Sequence, residues 1–160
     1  MAEAVSWQAR EGHLLCLRTR SRSWLDGVAP GLSSLQTSRF LRAGPALWMR
    51  LGPDEWWCWT SAGAACAARV RQSAGAQFHA LLDISDAQQA FEIQGAVRDV
   101  LSQGCELDFE RLPPDFAGRS RCAAFTVVIC PQLSGTYLWV EASLARSLTQ
   151  WLDQARRLRG

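Results

Sequence analysis

The chain has 160 residues, 48% hydrophobic and 20% charged, with a formal net charge of +2. That balance suits one domain or two small lobes with a real core, is too apolar for disorder, and is too weakly basic to point to nucleic acid. No run approaches the ~18 apolar residues of a membrane span, and the short Leu14-Leu15-Cys16-Leu17 stretch among Arg10, Glu11, Arg18 and Arg20 is no secretory segment, so a cytoplasmic protein is expected.

Residues 1–45 carry the weakest periodicity. His13 to Leu17 has the composition of a strand, but Ser21 to Ser38 is rich in Ser, Gly and Pro with scattered Leu. It reads as a loop or docking segment that a lone chain gains little by ordering. Residues 1–45 are therefore set apart as an irregular docking segment before a domain of 46–160. From Ala46 the pattern sharpens. Ala46 to Leu51 predicts a strand turned by Gly52-Pro53-Asp54, where proline presets φ, and Glu55 to Thr60 predicts the aromatic return strand. Gly63 to Ser73 predicts an alanine-rich helix closed by Gly75, with Ala64, Ala67, Ala68 and Val70 on its packing face.

Phe78 to Ile84 predicts an apolar strand, and Ala90 to Gln94 alternates like a half-buried one that Gly95 ends. Ala96 to Ser102 predicts a short helix with Val97, Val100 and Leu101 inward and Gly104 as a left-handed cap. Cys122 to Cys130 predicts a central strand, Pro131 to Gly135 a turn, and Thr136 to Glu141 its antiparallel neighbour. The chain closes on an amphipathic helix, with Leu144, Leu148, Trp151, Leu152, Ala155 and Leu158 spaced by threes and fours. The order points to an α+β fold of two small β-α-β lobes, ferredoxin-like, with a C-terminal amphipathic helix.

The six cysteines (Cys16, Cys58, Cys66, Cys105, Cys122, Cys130) stand singly, with no Cys-x-x-Cys and no histidine placed to complete a zinc site, so reduced, buried thiols are expected. All seventeen basic residues are arginine. The eight tryptophans are a heavy load for so small a core, and tryptophan is enriched at interface hot spots. Trp56, Trp57, Trp139 and Trp151 are the interface candidates. No dinucleotide fingerprint or nucleophile elbow is present, and His13 and His79 read as packed or surface residues. Asp83, at the end of an apolar strand in Asp83-Ile84-Ser85, is the one weak candidate for chemistry, against a turn-forming role for the same carboxylate.

Several segments, in order, resemble the gamma subunit of heterotetrameric sarcosine oxidase. They are Leu51-Gly52-Pro53-Asp54-Glu55-Trp56-Trp57, Leu82-Asp83-Ile84-Ser85, the strand–glycine–helix unit Phe91 to Leu101, Gly104-Cys105-Glu106-Leu107-Asp108, Phe116-Ala117-Gly118, and Ser143 to Leu148 with Trp151-Leu152. The resemblance covers Ala46 to Arg156. It departs at Ala96, where the family commonly has proline, and at Arg119-Ser120-Arg121-Cys122, which lacks a frequent threonine. It implies a fold similar to part of the folate-binding module of aminomethyltransferases. It also implies a structural subunit with no catalytic, cofactor-binding or metal residue of its own. The implied partners are large alpha and beta subunits carrying FAD, FMN, NAD and tetrahydrofolate, and a small zinc-binding delta subunit. A related N-methylglutamate dehydrogenase subunit and a stand-alone folate-binding protein are the alternatives.

Overall fold

The computed structural model describes residues 4–158. In chain order these form β1 (Ser6–Arg10), β2 (His13–Arg18), β3 (Arg39–Ala43), β4 (Ala46–Gly52), β5 (Glu55–Thr60), α1 (Gly63–Ala74) and β6 (Ala80–Asp83). There follow β7 (Gln88–Gln94), α2 (Val97–Leu101), β8 (Gly118–Cys122), β9 (Phe125–Gln132), β10 (Gly135–Glu141) and α3 (Ala145–Arg157). The fold is α+β with a C-terminal helix, as the sequence predicts, and its strands form two five-stranded antiparallel sheets. The chain divides into two compact units: residues 12–85, and residues 4–11 with 86–158. The boundary expected at residue 45 is not where the fold parts, because β2 and β3 belong to the same sheet as β4 and β5.

In the unit of residues 12–85 the strand order is β3-β4-β5-β2-β6. β5 and β6 both pair antiparallel with β2, so β5-α1-β6 is a split strand–helix–strand unit with β2 between its strands. One sheet face presents Leu15 and Leu17, Trp48, and Trp56 with Cys58. The cover over that face has two parts. The first is α1, whose inward side is Gly63, Cys66, Ala67, Val70 and Ala74, while Ala64 and Ala68 face water. The second is the segment expected to be a loose loop, which buries Trp24, Leu25, Val28, Ala29 and Leu32 in the same core. A 3-10 turn at Leu25–Gly27 starts it. Asp26 accepts hydrogen bonds from the Ser33 N–H (2.9 Å) and hydroxyl (2.7 Å), and the Ser73 hydroxyl of α1 donates to the Trp24 carbonyl at 2.6 Å. Burying five apolar side chains, each worth about 1–3 kcal/mol when fully removed from water, is enough to order it within the chain.

The second unit has the order β1-β7-β10-β9-β8. Phe91 and Ile93, Leu138 and Val140, and Val127 and Ile129 line the face covered by the two helices. α2 contributes Val97, Val100 and Leu101, and α3 contributes Leu148, Leu152 and Ala155. Arg156 of α3 also lies over the Trp7 ring of β1, 4.8 Å from its centroid. The predicted single strand Cys122–Cys130 is instead a tight hairpin of β8 and β9, turned at Ala123, whose φ is 53°. Phe78 lies outside β6 and is exposed, so the apolar strand predicted there is shorter than its composition suggests.

Two glycines have different reasons. Gly95 has φ 86°, and a Cβ there would collide with the Ala4 carbonyl oxygen, so only glycine lets the N-terminal segment pass. Gly104 is not the left-handed cap expected of it; α2 is capped at Ser102 with an ordinary right-handed backbone. Gly104 is needed for space: its carbonyl accepts from Ala123 N–H at 2.9 Å, and an added Cβ would come within 2.5 Å of the Trp151 ring and 3.0 Å of the Ala123 nitrogen. Gly104→Ala is therefore expected to destabilise the protein by ~1–3 kcal/mol, the usual effect of overpacking, read as a lower urea midpoint with altered Trp151 emission.

Candidate functional site

The Gly-Pro-Asp-Glu-Trp segment forms the β4–β5 hairpin turn, with a register shift between Arg50 and Gly52. Its geometry is governed by an arginine that sequence reasoning passed over. Arg50 is 9% exposed. Its Nε donates to the Gly52 carbonyl (3.2 Å), Nη1 to Leu35 (2.8 Å) and Nη2 to Pro53 (2.9 Å). The guanidinium sits 5.2 Å from the centroid of Trp56, its cross-strand neighbour. Burial holds the Arg50 pKa below the usual arginine value, with the charge of Arg22 adding to it. The cation is thus tied to backbone carbonyls and an aromatic face, which fixes the turn against the 24–35 cover.

On the other side of the turn, Arg18 of β2 donates to both carboxylate oxygens of Asp54 at 3.2 Å and approaches Glu55 at 3.5 Å. Glu55 also accepts from the Trp57 indole N–H at 3.0 Å. The hydrogen bond to Asp54 raises the Arg18 pKa against a smaller desolvation effect. The turn is therefore clamped by two arginines, one buried and one exposed. Arg50→Ala, which strands three carbonyls, is expected to cost ~3 kcal/mol of stability, and Arg18→Ala only ~0–1 kcal/mol, as measured by urea denaturation.

Asp83 takes the turn-forming role. Its Oδ1 accepts from the Ser85 N–H (3.0 Å) and from the Ser85 hydroxyl (2.5 Å), and the Ser85 oxygen accepts from the Leu14 N–H at 2.9 Å. With Ile84 N–H donating to the Leu14 carbonyl at 2.8 Å, this closes the end of the β2–β6 ladder. The hydrogen bonds from Ser85, side chain before backbone, hold the Asp83 pKa below the usual carboxylate value. A depressed folded-state pKa stabilises above the unfolded value of about 3.9, and the stabilisation disappears as pH falls through the folded value. The stability difference between wild type and Asp83→Ala is expected to be constant at neutral pH and to shrink below about pH 4, in chemical denaturation followed across pH.

The candidate tryptophans separate by burial. Trp56 is fully buried in the core under the 24–32 cover, so it is a core residue and not a free anchor. Trp139 is also fully buried, its ring stacked with Tyr137 at 5.9 Å, and Trp57 is 6% exposed. Trp151 is half-buried against the helix-covered core of the second unit. Of all eight, five are buried and three (Trp7, Trp59, Trp151) half-buried. The indole N–H groups of Trp24 and Trp56 meet no hydrogen-bond acceptor among the described residues.

The cysteines are not all solitary. Cys58 of β5 and Cys66 of α1 place their sulfurs 3.4 Å apart, and Cys105 and Cys122 face each other across an isolated β-bridge. Each pair joins a buried thiol (Cys58, Cys122) to a half-buried one (Cys66, Cys105). Within each pair the mutual hydrogen bond lowers the pKa of the half-buried thiol against an opposing desolvation, and raises that of the buried one with desolvation adding to it. Spacing along the chain hides both pairs, since a strand-to-helix turn or a loop brings each together. Among the described residues no group of three or more His, Cys, Asp or Glu is gathered as for a metal ion, and no helix is long and apolar enough to cross a membrane.

No family model matches this sequence, and no curated protein matches it. Solved structures do match in fold. A chain of heterotetrameric sarcosine oxidase from Corynebacterium sp. U-96, in complex with pyrrole 2-carboxylate, is 17% identical with a TM-score of 0.83, over 96% of this chain and 84% of that one. Glycine cleavage system aminomethyltransferase T from Bartonella henselae is 15% identical with a TM-score of 0.72, over 94% of this chain and 46% of that one. This chain thus spans about half the length of the aminomethyltransferase, and it shares its fold both with that enzyme and with a chain of heterotetrameric sarcosine oxidase.

Proposed function

We propose that this chain is a non-catalytic structural subunit of a flavin-dependent, sarcosine oxidase-like heterotetramer. The observation that carries the reading is the fold match over 96% of this chain to a chain of such an assembly. The ordered motifs from Ala46 to Arg156, which resemble that family's gamma subunit, add to it. So does the use of the conspicuous polar groups: Arg18, Arg50, Asp54 and Asp83 all hold turns together. In this reading FAD, FMN, NAD and tetrahydrofolate lie in large alpha and beta subunits, and zinc in a small delta subunit. The assembly oxidatively demethylates sarcosine to glycine and passes the one-carbon unit to folate. Trp151, half-buried on α3, is the candidate that keeps surface for a partner.

The aminomethyltransferase fold supports a second reading, in which the chain binds folate by itself. One experiment separates the two. The tagged chain is recovered from its native cells, and the absorption spectrum of the eluate is recorded with its co-purifying subunits. A yellow eluate with large subunits, bleached anaerobically by sarcosine, is the expected result. Bleaching by N-methylglutamate instead moves the assignment to a related dehydrogenase. A colourless single chain that binds tetrahydrofolate at micromolar concentration overturns the subunit reading.

A further inference from the structure

Like Cys105 and Cys122, Cys58 and Cys66 pair a half-buried thiol with a buried one, and here the charge of Arg69 also acts on the half-buried thiol. Cys58 is fully buried, flanked across the sheet by Trp48 and Leu15, so small oxidants in solution do not reach it first. Cys66 lies in the first turns of α1, half-buried, with its sulfur 3.4 Å from that of Cys58. The positive end of a twelve-residue helix and the guanidinium of Arg69 both favour a thiolate there. The hydrogen bond shared by the two sulfurs holds Cys66 below the usual thiol range and pushes Cys58 up. An accessible thiolate poised next to a second thiol is the arrangement found at redox-sensitive cysteine pairs.

We propose that Cys58 and Cys66 form a peroxide-sensitive pair, with Cys66 as the oxidised residue and Cys58 as the resolving thiol, closing a disulfide that staples α1 to β5. The Cys66 thiolate attacks one oxygen of hydrogen peroxide, the O–O bond breaks, and sulfenic acid and hydroxide form. The Cys58 sulfur then attacks the Cys66 sulfur, the S–O bond breaks, and the departing hydroxide takes up the Cys58 proton as water. Two thiols lose two electrons in all, and one peroxide is reduced to two waters. The sulfurs already lie near van der Waals contact, so bond formation needs only a short approach of one to the other.

The test treats the full-length chain with graded hydrogen peroxide, blocks the remaining thiols, and maps disulfides by mass spectrometry without reduction. The expected product is a Cys58–Cys66 link, a mass lower by two hydrogens, and a thermal midpoint that rises and returns with dithiothreitol. Cys66→Ser is expected to abolish the link. Cys58→Ser is expected to leave Cys66 as a sulfenic acid that dimedone captures. The wild-type map needs neither variant, so a variant that fails to fold leaves the test intact. A map joining only Cys105 to Cys122, a Cys66 that remains a thiol while other cysteines oxidise, or a midpoint that falls on oxidation overturns the proposal.

Discussion

The unit of residues 12–85 depends on how an unusually slender helix covers a broad apolar sheet. α1 turns glycine, alanine, cysteine and one valine inward, so it approaches the sheet closely but shields only part of it. Trp48 and Trp56 are bulky, and leaving their faces in water would cost several kcal/mol. The missing cover comes from the 24–32 segment, which lays Trp24, Leu25, Val28 and Leu32 beside the helix. The Ser73–Trp24 hydrogen bond satisfies a carbonyl that this irregular backbone would otherwise leave part-buried and unpaired, and the exposed Asp26–Ser33 hydrogen bonds hold its turn. Small side chains on α1 and large ones on the neighbouring segment are complementary halves of one cover.

Arg50 extends the same logic to the hairpin. A guanidinium on the helix-covered side is costly to desolvate, and the structure offsets this with three carbonyl acceptors and the face of Trp56. Two of those carbonyls exist because the chain turns at Gly52-Pro53, where the register shift aims them back at the strand. The third comes from Leu35, so the hairpin and the cover are held by a single side chain. The motif that first draws the eye is therefore an architectural turn. Its acidic residues Asp54 and Glu55 face Arg18 on the opposite side.

Much of the architecture was legible from periodicity. The hairpin β4–β5, the alanine-rich α1, β7, the β9–β10 pair and the amphipathic α3 sit close to where alternation and three-four spacing place them. The 24–32 segment was legible in part. Trp24, Leu25, Val28, Ala29 and Leu32 follow a one-and-four spacing that signals a buried face, but the intervening Gly and Pro obscured it. The hairpin at Ala123 was not legible, because Cys122 to Cys130 holds no Gly, Pro, Asn or Asp, and a positive φ at an alanine marks the turn. Asp83 was weighed between chemistry and a turn, and the neighbouring Ser85 decides for the turn.

By itself, the sequence determined the α+β class, most element types from Ala46 onward and the turn at Gly52-Pro53, because these follow from local φ preferences and from which side chains recur on one face, whereas β1, β3 and β8 left no such signal. Only the tertiary structure decided which strands are neighbours, and so that β2 lies between β5 and β6 and that residues 12–45 share a sheet with 46–60. It also decided the partners of Arg50, the burial of Trp56, and the pairing of Cys58 with Cys66 and of Cys105 with Cys122. The physical reason is common to all of these. They are relations between side chains and backbone groups brought together by folding, and local periodicity records which way a residue faces but not what it meets there.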